Sequence, residues 1–231
     1  VIRQAVILAG GSGDRMLPYT GPKCILSVGG KPLLSWLLSY LRLEGVEEFI
    51  VCLGHYSSRV SDCLTGRAGY TDVVLSCGGE ALTIPERLAL ASKYLHDRFL
   101  VCYGDTLANV SISELIKQHE VVDGNVATLT TYKFRSQFGA VKADNRGRVV
   151  AMHEKPELAH PCNIGFMLCE TDVIPFFSGS LLKGGAVAMF DWLVDRGLGA
   201  YEHPGFHATI NTFYDWSVLD QRFKEDRPCG F

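Results

Sequence analysis

The chain has no Cys-x-x-Cys pair: its eight cysteines, at 24, 52, 63, 77, 102, 162, 169 and 229, are irregularly spaced. Cys52 and Cys102 sit inside apolar, strand-like runs, a distribution that favours buried thiols in a reducing compartment over a disulfide scaffold. There is no basic run either, and the formal net charge is −3. Phosphate-backbone affinity needs clustered Lys and Arg, so nucleic acid is not the expected partner, whereas a small phosphorylated molecule needs only a local basic pocket. No stretch of about 18 apolar residues occurs, and the first residues lack the charged and apolar regions of a leader. No membrane association is therefore expected, and the chain reads as cytoplasmic. Linkers, low-complexity tracts and internal repeats, including the hexapeptide repeats of a β-helix, are also missing. With 47% of 231 residues hydrophobic, the chain can bury a full core, and 1–231 is expected to be a single domain.

What is present begins with a strongly apolar run at 4–9 that feeds a glycine loop, Gly10-Gly11-Ser12-Gly13. Glycines tolerate positive φ and bring backbone N–H groups against a ligand without Cβ interference, which makes an anion-binding nest. Arg15 adds a bidentate guanidinium and Lys23 a compact ammonium, as several phosphate oxygens would require. No Gly-Lys-Ser/Thr follows, so this is not a Walker loop, and the spacing is not that of Gly-x-Gly-x-x-Gly.

The first half then alternates strand and helix patterns, as a doubly wound sheet requires. Strands are predicted at 4–9, 48–53, 72–76 and 98–103, and helices at about 33–43, 56–64, 84–95 and 111–121. Leu33, Leu34, Leu37, Leu38 and Leu41 recur at helical spacing and form a stripe to lay on the sheet. From about 125 strand patterns crowd together, at 126–132, 140–143, 148–153 and 165–169, with 144–147 as a hairpin turn. Helices follow at about 171–178, 186–196 and 216–224, with a last strand near 207–211. Ligands of open α/β sheets gather at the carboxyl ends of strands. There, Tyr103-Gly104-Asp105 leaves one carboxylate facing outward, a natural ligand for a hard divalent ion that otherwise prefers phosphate oxygens and water.

Leu8-Ala9-Gly10-Gly11-Ser12-Gly13-Asp14-Arg15-Met-Leu-Pro18, with Gly21-Pro22-Lys23, resembles the signature of the sugar-1-phosphate nucleotidyltransferases, departing from it at Asp14, where Thr is usual. The resemblance covers essentially the whole chain. It implies an α/β, Rossmann-like nucleotidyltransferase fold, a mixed central sheet flanked by helices, with a nucleotide-binding half over about 1–122 and a sugar-phosphate-binding half over about 123–231. It implies an enzyme that converts an NTP and a sugar 1-phosphate to an NDP-sugar and pyrophosphate. Arg15, Lys23 and Asp105 would be catalytic, and Leu8 to Gly13 with Gly104 would hold the nucleotide. Relatives read the base in the segment at 76–87, which places Gly78, Glu80 and Thr83 at the base. No base-specific pattern is met there, and CTP stands slightly ahead of GTP.

On the same resemblance, Glu154-Lys155-Pro156 and Asn163-Ile164-Gly165 match motifs that hold the sugar phosphate, and Phe138-Gly139 matches a segment where bare backbone approaches the sugar. Mg²⁺, with Mn²⁺ as a substitute, would be held by Asp105. Relatives supply the second ligand from a late segment, where this chain has Asn211, with Asp215 in reserve as a metal ligand or as the cap of the last helix. His207 reads as a packed histidine. Two other readings stay open: the same chemistry on a non-sugar phosphorylated acceptor, and a non-catalytic regulatory subunit of the same fold. A homo-oligomer is compatible with all three.

Overall fold

The computed structural model describes residues 1–65, 69–178 and 184–231. In chain order, the first half contains β1 (Gln4–Leu8), β2 (Ser27–Val28), β3 (Lys31–Pro32), α1 (Leu33–Leu43), β4 (Glu48–Leu53), α2 (Ser57–Thr65), β5 (Val73–Cys77), α3 (Ile84–Ala91), β6 (Phe99–Tyr103), β7 (Thr106–Ala108) and α4 (Ile112–Val121). The second half contains β8 (Ala127–Tyr132), β9 (Ala140–Ala143), β10 (Val149–His153), β11 (Cys162–Cys169), α5 (Gly185–Arg196), β12 (Leu198–Glu202), β13 (His207–Thr209) and α6 (Phe213–Glu225).

Seven strands form one mixed sheet in the order β12-β8-β11-β6-β1-β4-β5. β6, β1, β4 and β5 are mutually parallel, β11 runs antiparallel to both β6 and β8, and β12 is parallel to β8. Beyond their first residues, Gln4 and Glu48, β1 and β4 are apolar because both faces of the sheet are covered. Ala5 and Ile7 of β1, Phe49, Val51 and Leu53 of β4, and Leu100 and Cys102 of β6 face one core, shared with the leucines of α1. Val6, Ile50, Cys52, Phe99 and Val101 face the other, shared with Leu88 of α3 and with Met189 and Leu193 of α5. This is the expected fold class: a mixed sheet with helices on both sides.

Most predicted elements fall where the pattern puts them, and several of the exceptions have local causes. The helix expected over 84–95 stops at Ala91 and continues as a 3-10 turn, Ser92–Tyr94. The segment at 171–178 is 3-10 throughout, with Pro175 inside it. The last helix starts at Phe213, three residues early, because Thr212 and Asp215 form a capping box around its first turn. The strand expected near 207–211 is the short β13, paired with β7. β9 and β10 form a separate hairpin whose side chains are exposed except for the half-buried Ala151. Its turn is closed by Asp144, whose carboxylate accepts from the amides of Arg146 and Arg148. Among the described residues, no helix is long and apolar enough to cross a membrane.

Candidate active site

Register decides where the site lies. Leu8 is level with Cys52 on one side and Tyr103 on the other, so β1, β4 and β6 end together. Beyond their carboxyl ends opens a cleft of about 650 Å³. Leu8, Ala9, Gly10, Gly11, Ser12, Gly13, Arg15, Lys23, Glu80, Thr83, Gly104 and Asp105 all line it. Gly78 does not; it packs instead toward the side chains of Leu82 and Leu90.

The loop is shaped by what its glycines permit. Gly13 has φ +76°, and a Cβ there would lie 2.7 Å from the carbonyl oxygen of Gly21, so the bare residue lets the loop close on the Pro22-Lys23 turn. A 3-10 turn, Asp14–Met16, follows, with Met16 buried and Arg15 exposed at the cleft. Asp14 accepts a 2.7 Å hydrogen bond from the Ser12 hydroxyl, which ties down both side chains of the loop that carry oxygen. Lys23 stands on its own 3-10 turn, anchored by the buried Cys24. Burial pushes the Cys24 thiol up to about 12, so it is neutral packing rather than a nucleophile. The Lys23 ammonium reaches the Asp105 carboxylate at 3.3 Å, both side chains being largely withdrawn from solvent. Gly104 donates its N–H to the Leu8 carbonyl at 3.0 Å and so fixes the corner from which Asp105 projects.

The opposite wall comes from the loop before α3 and the start of that helix. Thr83 is the N-cap: its amide and its hydroxyl both donate to Glu86 at 2.7 Å, and these bonds hold the Glu86 carboxyl below the usual range. Glu80 pairs with His55 from the end of β4 at 3.7 Å. Tyr103 closes the floor. Burial raises its phenol pKa and the Asp105 charge raises it further, against a hydrogen bond with the Asn163 side chain. Gly165, with φ +78°, lets β11 cross the Tyr103 ring where a Cβ would collide, and Asn163 accepts from its amide at 2.8 Å. Asn163 therefore reaches the cleft through Tyr103.

The remaining candidates lie apart. Glu154 and Lys155 follow β10, and Gly139 precedes β9. A Cβ on Gly139 would stand 3.1 Å from a Glu154 carboxylate oxygen, so these two are neighbours, while Lys155 holds a left-handed φ of 45°. None of the three lines the cleft. The amide of Ile210 donates to the Asp105 carbonyl at 2.9 Å, which brings the backbone before Asn211 to Asp105, although Asn211 does not line the cleft. The Asp215 carboxylate accepts from the amides of Asn211 and Thr212 at 3.0 and 2.7 Å, and thus serves the helix cap. No group of three metal-binding side chains occurs among the described residues. His207 packs on Tyr132 and, edge to face, on Phe134, with ring centroids 5.1 and 5.2 Å away, and meets the Thr209 hydroxyl at 3.0 Å. Burial and the neighbouring His203 lower its pKa to about 4.

The chain as a whole is similar to known proteins. A model of the nucleotidyl transferase family matches residues 4–187. The chain belongs to that family. It is 30% identical to the "Probable glucose-1-phosphate cytidylyltransferase" of Bacillus subtilis, over 91% of this chain and 92% of that protein. It is 29% identical to the glucose-1-phosphate cytidylyltransferase of Salmonella typhimurium, over 94% of each. The crystal structure of HddC from Yersinia pseudotuberculosis superposes with a TM-score of 0.72 at 22% identity, covering 96% of this chain and all of that one, which shows a shared fold.

In this nucleotidyl transferase two basic side chains of the cleft are not among the residues expected there from the sequence. His55 comes from the end of β4, where nothing local marks it. Arg87 does carry a signal: it is a charged residue on a buried stripe with Pro85, Leu88 and Ala91, where only a guanidinium with partners is tolerated.

Proposed function

We propose that this nucleotidyl transferase joins an NTP to a sugar 1-phosphate, releasing pyrophosphate, with the glycine-loop cleft as the nucleotide site and the 123–231 half as the sugar-phosphate site. The observation that carries the proposal is the meeting of Gly10 to Gly13, Arg15, Lys23 and Asp105 in one cleft at the carboxyl ends of β1 and β6. The attacking phosphate oxygen is already ionised, so no general base is required and catalysis rests on alignment and charge neutralisation. Arg15 would meet the departing pyrophosphate, Lys23 the charge that builds on the α-phosphate, and Lys155 the incoming phosphate. Glu154 and Asn163 would accept hydrogen bonds from sugar hydroxyls, where a mismatch leaves an unpaired group and costs about 1–3 kcal/mol.

A divalent ion fits the donors in hand. Asp105 offers one carboxylate to the cleft, and Asn211, which follows the residue bonded to the Asp105 carbonyl, would be the neutral second ligand; this suits Mg²⁺, or Mn²⁺ in its place, because such ions take one or two carboxylates and complete their shell with phosphate oxygens and water. When bound, the ion would offset phosphate charge. Lys23, now paired with Asp105, would turn to the α-phosphate as the nucleotide enters.

The similarity to two cytidylyltransferases favours CTP as the nucleotide and glucose 1-phosphate as the first acceptor to test. Pyrophosphate release is to be measured for CTP, GTP, UTP, dTTP and ATP against a panel of sugar 1-phosphates. One pair, with CTP leading, should release pyrophosphate and NDP-sugar in equal amounts. Nucleotide binding without turnover on any pair would remove the proposal in favour of a regulatory subunit.

A further inference from the structure

Arg87 is 7% exposed, yet none of the ion pairs among the described residues includes it. Its partners are three backbone carbonyls from three different segments. It donates to Leu53 at the end of β4, to Gly10 in the glycine loop at 3.4 Å, and to Glu80 in the loop before α3 at 3.0 Å. The backbone is moulded on the guanidinium. A Cβ on Gly10 would come within 2.6 Å of Cζ, and one on Gly54 would collide with the same group. A planar fork holds five donors on three nitrogens at fixed mutual angles, whereas a lysine ammonium presents its three from a single nitrogen that rotates. The direct partners of Arg87 are carbonyl dipoles, and the Glu86 carboxylate, turned to the Thr83 cap, acts on it without a direct bond; such a buried cation is under-compensated, and the compensation that best suits it is an anion. Arg87 also lines the cleft itself, beneath the loop that carries Arg15.

We infer that Arg87 is a positioning residue for the nucleotide: its guanidinium locks the glycine loop, the end of β4 and the 78–82 loop into one frame and leaves a buried positive charge for the polyphosphate to neutralise. The inference rests on the reading of the cleft as the NTP site. It makes Arg87 the strut that couples the phosphate cradle to the opposite wall.

The test compares wild type, Arg87→Lys and Arg87→Met in steady-state kinetics and in calorimetric titration with CTP, with thermal unfolding run alongside. Arg87→Lys keeps the charge and loses the fork, so its KM for CTP should rise about tenfold while the KM for sugar 1-phosphate stays within about twofold. Arg87→Met also loses the charge and should weaken CTP binding by about a further tenfold. If the methionine variant does not fold, the lysine variant decides alone. A folded Arg87→Lys enzyme with a wild-type KM for CTP, or with equal rises in both KM values, overturns the inference and leaves Arg87 a packing residue. Wild-type protein that binds no NTP overturns the cleft reading and this inference together, whereas normal wild-type binding with an unaltered variant overturns this inference alone.

Discussion

Replacing Lys23 by Met separates the two tasks assigned to that side chain. The substitution keeps the stem and removes an ammonium 3.3 Å from the Asp105 carboxylate, in a pair whose side chains are 12% and 30% exposed. At an effective dielectric constant of about 20, unit charges at this distance attract by about 5 kcal/mol, most of which is returned to desolvation, leaving about 1–2 kcal/mol net. In Lys23→Met the Asp105 carboxylate is no longer neutralised. Binding of Mn²⁺ to nucleotide-free protein, followed by electron paramagnetic resonance, should then tighten about tenfold. Turnover should move the other way, with kcat falling about 100-fold, or about 2.7 kcal/mol, because the charge that meets the α-phosphate in the transition state is gone. Tighter metal and slower chemistry from one substitution is the signature. Unchanged Mn²⁺ affinity with near-wild-type kcat would refute the placement of Lys23 between metal ligand and phosphate.

Three further outcomes are expected. Asn211→Asp adds a carboxylate at the proposed second ligand and should lower the half-saturating Mg²⁺ concentration in the pyrophosphate-release assay; an unmoved value removes Asn211 from the metal shell. Lys155→Ala should raise KM for sugar 1-phosphate about tenfold and leave KM for NTP unchanged, and the opposite pattern would put the Glu154-Lys155 motif on the wrong substrate. Because burial depresses His207 from the ordinary value near 6.5 to about 4, the unfolded chain binds the extra proton between these limits, so stability present above pH 6.5 is lost as pH falls toward 4, by an amount on the order of 3 kcal/mol. Urea titrations of His207→Phe should show a shallower loss of stability over that window than wild type, and parallel profiles would disprove the assignment.

Legibility followed locality. α1 was readable because five leucines mark its buried stripe, and β4 because the five residues after Glu48 suit a strand covered on both faces. The glycine loop was readable for the same reason: Gly10 to Gly13, Arg15 and Lys23 are close in sequence, and their geometry needs little from the rest of the chain. β12 was not, since Leu198–Glu202 includes Gly199 and gains its strand character from pairing with β8. Asp105 announced itself at a strand end, but its pairing with Lys23 spans 82 residues. His55 has no local mark, and Arg87 has one in its place on a buried helical stripe, but the contacts between segments that bring either into the cleft are not encoded locally. Glu154 and Lys155 were legible as a motif, yet their position on an exposed hairpin outside the cleft lining is a property of the fold.

The central claim, direct in-line attack by a sugar phosphate on the α-phosphorus of a nucleotide held by the glycine loop, is tested most directly by stereochemistry. The enzyme is to be turned over with one diastereomer of the α-thio analogue of the nucleotide it accepts, and the configuration at phosphorus in the NDP-sugar determined by phosphorus NMR. The account predicts inversion, the outcome of a single displacement with no enzyme-bound nucleotidyl group. Retention, which requires two displacements and a nucleophile on the protein, would contradict it.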